Sequence, residues 1–178
     1  MENSSKVALC GMVTALCTAL MFLTAIIPIG TYAIPAIAGA IIVVIVIELG
    51  KKYAWLVFAA SAILSFIVSA DKEAAVFYIL LFGYYPILKS LIEGRFNFVT
   101  GFVLKLLVFN IAAVLEFIIA INLLGITDDA VSMFGVYAPA VLLALGNVTF
   151  LLYDRALSLL LIKYIRQYRS KVLKIIGK

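Results

Sequence analysis

The stretch "GFVLKLLVFNIAAVLEFIIAINLLG", residues 101–125, holds two charges, Lys105 and Glu116, in a run that is otherwise almost wholly apolar. A helix crosses the hydrocarbon core of a bilayer with about 20 apolar residues, so this stretch reads as a membrane span. Five segments of similar character surround it, and six spans are expected at about 7–27, 33–48, 53–70, 74–93, 99–124 and 134–162. Composition agrees: the chain is 66% hydrophobic and 13% charged, with a mean hydropathy of +1.24, against roughly 45–50% apolar residues in a soluble domain. The sequence predicts an all-α, multi-pass membrane protein: one compact bundle of six transmembrane helices filling residues 1–178, in the cell membrane.

Threading six spans puts Lys6, Lys51, Lys52, Lys89, Arg95, Arg155, Lys163, Arg166, Arg169, Lys171, Lys174 and Lys178 on one side and leaves Lys72 alone on the other. The positive-inside rule then predicts that both termini are cytoplasmic, with a basic C-terminal extension. The net charge of +5 reads as topology and as affinity for anionic lipid or another protein, not as a nucleic-acid footprint. Cys10 and Cys17 both fall inside the first span; without histidine they make a poor metal site and read as small packing residues.

Between the first two spans lies "TAIIPIGTYAIPAIAGAI", residues 24–41, broken by Pro28, Gly30 and Pro35 yet uncharged. Proline fixes φ and removes a backbone donor, and irregular backbone at membrane depth is tolerated where protein buries it or it lines a cavity. Pro28 to Pro35 is therefore a candidate lid over the bundle, the alternative being a tight interfacial turn with Tyr32 in the aromatic belt. Asp71, Glu73, Asp128 and Asp129 occupy the other two connections on this side, where helix capping explains most of them.

Within the spans, Gly11, Ala15 and Ala19 recur at four-residue spacing. Such a stripe lets another helix approach closely in lipid, either inside the bundle or from a separate subunit. Tyr78, Phe82, Tyr85 and Lys89 share a face of the fourth span, with Pro86 expected to kink it beside Gly83 and Lys89 set to pair with Glu93 at i, i+4. This face reads as a packed aromatic core or as the wall of a pocket for a flat organic ligand. Lys105 and Glu116 are about 16 Å apart along one helix, too far to pair, so each needs another partner. Asn110 is read as pointing elsewhere, and Asn147 as completing a site with Glu116. Asp154 is expected at the inner interface, neutralised by Arg155, Lys51 or Lys52.

The chain has no histidine and no G-x-S-x-G, H-E-x-x-H or Walker A motif. No cofactor or metal is expected, and the one enzymatic reading left is an intramembrane acid–base role for Glu116. On its length, six spans, alanine-rich first helix with Ala15 and Ala19, and first external connection, the chain resembles the S components of energy-coupling factor (ECF) transporters, small membrane subunits that capture vitamins or related micronutrients. The resemblance implies a non-enzymatic subunit that binds a small-molecule solute and joins a transmembrane coupling subunit and two ATPases. It implies that Gly11, Ala15 and Ala19 dock on the coupling subunit and that the first external connection gates the site. Tyr32, Tyr78, Glu116, Asn122 and Asn147 are the expected substrate contacts, followed by Asp71 and Asp128. The alternative is a non-transport scaffold resembling the MreD subunit of the bacterial rod-shape machinery; a self-contained transporter or channel is a third reading.

Overall fold

The structure, a computed structural model, describes residues 3–27, 30–122 and 138–169. Its helices are α1 (Asn3–Leu23), α2 (Gly30–Glu48), α3 (Lys51–Val68), α4 (Lys72–Phe77), α5 (Tyr85–Glu93), α6 (Phe98–Asn122) and α7 (Ala138–Lys163), with π-helical turns at Tyr78–Phe82 and Tyr164–Tyr168. No strand occurs among the described residues. Six segments are long and apolar enough to cross a membrane, α4, the first π turn and α5 together forming the fourth. The expected third connection, with Asp128 and Asp129, and the basic residues from Lys171 onward lie outside the described residues.

The first three helices and the fourth span build the main core. Leu9, Val13, Cys17 and Met21, four residues apart on α1, pack with Ala38, Ile42 and Ile45 of α2, Ala54, Val57 and Ala62 of α3, and Ala74, Tyr78 and Ile87. Small residues set the close approaches, as they must where lipid offers no hydrophobic drive for helices to associate. At Gly39 the backbone of α2 lies against the Phe82 carbonyl, and a Cβ there would collide with it. A second core, Val43, Tyr85, Phe150 and Leu157, joins α2, α5 and α7. Helices α6 and α7 bury much less of their surface than α2 or the fourth span.

Two expectations about the backbone are corrected. The segment from Gly30 to Pro35 is not a loop lid: α2 begins at Gly30, and Pro35 is a fully buried residue inside it. Pro35 removes the bond to the Thr31 carbonyl, but the helix continues because that loss is confined to one turn. Residues 24–27 form the described part of the connection, with Gly30 N donating to the Ile27 carbonyl at 2.8 Å.

The fourth span breaks near Gly83 as expected, but through a π turn as well as Pro86: Gly83 N bonds the Tyr78 carbonyl at 2.7 Å, and Pro86 sits in the first turn of α5. The extra residue rotates the following side chains by about 100°. Tyr78 and Tyr85 consequently do not share a face. Tyr78 packs in the core with α1 and α3, whereas Tyr85 turns to α7.

Candidate functional site

The end of the bundle that carries Asp71 and Glu73 gathers carboxylates whose neighbouring cation, Lys72, bonds backbone carbonyls. Asp71 caps α4, accepting from Ala74 N at 3.0 Å and from Thr31 Oγ1 at 2.8 Å. Glu73, in the first turn of α4, accepts from the Tyr32 hydroxyl at 3.1 Å. Tyr32 lies edge-on to Phe77, with centroids 4.8 Å apart, and keeps 57% of its surface exposed. Glu116 lies on α6, which packs against α4, and is half-buried. Thr31 and Tyr32 thus tie the first turn of α2 to the start of α4. Lys72, nearest in sequence, turns away, donating to the Phe66 and Ser69 carbonyls and lying over the Phe66 ring. Among the described residues Glu116 has neither a hydrogen-bond nor an ion-pair partner.

The other intramembrane charges are spoken for. Lys89 and Lys105 are both buried, and each bridges Glu93 and Asp154. Lys89 bonds Asp154 Oδ1 and lies 2.9 Å from Glu93, and Lys105 lies 2.6 Å from Glu93 and 3.2 Å from Asp154. The Tyr85 hydroxyl donates to Asp154 at 2.6 Å. The expected Lys89–Glu93 pair is present, but Asp154 is neutralised by Lys89 and Lys105, not by Arg155, Lys51 or Lys52. The rotation of α7 aims Asp154 inward beside Leu157, while Arg155 stays exposed. Two cations and two carboxylates close a neutral ring. The cavity beside it, bounded by Pro86, Lys89, Ser90 and Glu93, is about 30 Å³, room for a water or two and not for a solute.

Asn147 also differs from expectation. Its amide pairs reciprocally with Asn110, at 3.0 and 2.9 Å, and each asparagine returns a bond to its own helix, at Leu106 and Leu143. Asn110 thus points to Asn147, and Asn147 joins α6 to α7 with no bond to Glu116. Asn122 is exposed and bonds the Ile118 carbonyl at 2.9 Å. Tyr78 is fully buried, its hydroxyl 2.7 Å from Ser61 Oγ. Of the five expected contacts, Tyr32 bonds Glu73 at the start of α4, and Glu116 lies half-buried on α6, the helix packed against α4. Serines 61 and 65 of α3 and Ser69 at its C-terminal cap, buried at four-residue spacing, are the internal polar stripe that sequence reasoning missed; Ser69 meets Thr24 Oγ1 at 3.2 Å.

Gly11, Ala15 and Ala19 face outward. All three are exposed, beside Met12 and Leu16, and a Cβ at Gly11 would meet nothing within 4 Å. Internal packing is therefore not what the stripe does here; Leu9, Val13, Cys17 and Met21 fill that role. Among the described residues no group of three or more histidine, cysteine or acidic side chains is arranged to hold a metal ion. Comparison of the chain with protein families, with curated proteins and with solved structures finds no match.

Proposed function

We propose that this chain is a solute-binding membrane subunit of an energy-coupling factor type importer. In this reading Tyr32, Glu73 and Glu116 hold a small molecule at the outer face of the cell membrane. The observation that carries the reading is Glu116, a half-buried carboxylate in a span that packs against the helix carrying Glu73, with no hydrogen-bond or ion-pair partner among the described residues. Intramembrane ionisable residues default to function, and two carboxylates under a tyrosine favour a ligand with a cationic or donor-rich group. Asp71 is occupied as a helix cap, so it shapes the site electrostatically. Tyr78, Asn122 and Asn147 are left out of the site because their polar groups are engaged in the core or on their own helix.

The outward stripe of Gly11, Ala15 and Ala19 supports docking on a transmembrane coupling subunit. The basic residues at the opposite end, Lys51, Lys52, Arg95, Lys163, Arg166 and Arg169, support an orientation with that end cytoplasmic and the carboxylates outside. The chain binds its solute and has no catalytic role; two ATPases acting through the coupling subunit supply the energy. A MreD-like scaffold uses the same stripe and needs no solute.

Reconstitution separates these readings. Liposomes carrying this chain with the coupling subunit and ATPases of its own cell should accumulate a cationic solute only with ATP inside, and the chain alone should accumulate none. Uptake by the chain alone would replace the reading with a self-contained transporter. No uptake by the full assembly across a panel of vitamins and their precursors would favour the scaffold.

A further inference from the structure

Helices α2 and α7 run parallel and touch at two polar points. At one, the Tyr153 hydroxyl donates to the Ala36 carbonyl at 3.2 Å; at the other, the Tyr164 hydroxyl and Arg169 Nε each reach Glu48 Oε1 at 3.3 Å. Between these points Val43 of α2 and Leu157 of α7 lie in the second core, and outside that core the two helices leave a surface groove of about 460 Å³, walled by Ile37, Ala40, Ile41, Val43 and Val44 of α2 and by Leu160 of α7. Lys163 and Tyr164 close its basic end. Both helices are spans, so the groove faces the bilayer, with Ile37 and Leu160 about half exposed.

The charge at the closed end is one-sided. Glu48, its side chain 3% exposed, is engaged by Arg169 and Tyr164. Lys163 lines the groove with no hydrogen-bond or ion-pair partner among the described residues, and Arg166 stands exposed in the next turn. An apolar slot that ends in a free ammonium at the membrane surface matches one chemistry: a hydrocarbon chain attached to an anion. Size points the same way. The α2 wall from Ile37 to Val44 rises about 10 Å, and a helix is itself about 10–12 Å across. An acyl chain, much thinner than a helix, lies along a groove of this length that is open to the bilayer.

We propose that the groove between α2 and α7 binds an anionic phospholipid, its acyl chain lying along Ile37, Ile41, Val44 and Leu160 and its phosphate held by Lys163. The site is separate from the carboxylates at the other end of the bundle, and it stands whether or not the chain captures a solute. Bound there, the lipid ties the lightly packed α7 to α2 and fixes the depth of the basic end at the anionic surface.

The test is native mass spectrometry of the full chain released from detergent, titrated with phosphatidylglycerol or phosphatidylcholine of identical acyl chains. Wild type should retain one phosphatidylglycerol per chain. Lys163→Gln, a change at an exposed position, should lower that retention about fivefold, the worth of one basic residue against an anionic headgroup, and leave phosphatidylcholine unchanged. Ala40→Trp, which fills the groove, should abolish retention of both, with helicity by circular dichroism confirming the fold. Equal retention of the two lipids by wild type, or retention indifferent to both variants, would overturn the proposal. A lipid-free dimer that Ala40→Trp converts to monomer would overturn it too, by showing a second copy in the groove.

Discussion

Lys89 on α5 and Asp154 on α7, sixty-five residues apart, are bound side chain to side chain and also through the Asp154 carbonyl, at 3.3 Å. This contact carries α7 onto the fourth span, and Glu93 and Lys105 complete it as a neutral ring. Desolvated charges are tolerable when paired and hydrogen-bonded, and removing one partner strands the others.

Asp154→Asn should therefore leave two buried ammonium groups against one half-exposed carboxylate, destabilising the fold by about 3–5 kcal/mol. Combining Asp154→Asn with Lys105→Met restores charge balance and should cost clearly less than the sum of the two single changes. Unfolding of the single and double variants in detergent measures the coupling.

The Asn110–Asn147 pair predicts a smaller cycle. Either asparagine changed to Leu alone should cost between about 0.6 and 1.7 kcal/mol, the range of side-chain hydrogen bonds between membrane helices. The double Leu variant should recover part of that loss. Neither single change should alter the response to a solute, because the amides bond each other and their own helices.

Gly11 and Gly39 predict opposite outcomes for the same residue type. Gly11→Leu enters open space and should change the stability of the isolated chain by no more than about 0.5 kcal/mol, while blocking copurification with the coupling subunit. Gly39→Ala meets the Phe82 carbonyl and should cost about 1–3 kcal/mol by overpacking. Melting curves and affinity copurification read both.

The six spans were legible in the sequence because composition alone separates apolar runs from polar connections, as in residues 101–125. The Lys89–Glu93 pair was legible because i, i+4 spacing fixes it within one helix. Partners across helices were not: depth in the membrane suggested Arg155, Lys51 or Lys52 for Asp154, but helix rotation chose Lys89 and Lys105. The π turn at Tyr78–Phe82 has no clear sequence signal, so the shared aromatic face drawn from regular helix spacing failed. Small-residue spacing showed that α1 carries a stripe; only the inward row of Leu9, Val13, Cys17 and Met21 showed which way that stripe faces. In the candidate site, Tyr32 and Glu116 were visible as a tyrosine beside prolines and a charge in a span. Glu73 was read as a helix-capping residue, which hid its bond to Tyr32.

The most direct measurement is a thermal-shift screen of the purified chain against vitamins, their precursors and other cationic small molecules, run in parallel on Glu116→Gln and Tyr32→Ala. Glu116→Gln removes a half-buried carboxylate that has no partner among the described residues, so without ligand it should melt no lower than wild type. One solute at 100 times its dissociation constant should stabilise wild type by about 2.7 kcal/mol and lose that effect in both variants. A panel that shifts nothing, or a shift that both variants retain in full, would contradict solute capture at Tyr32, Glu73 and Glu116.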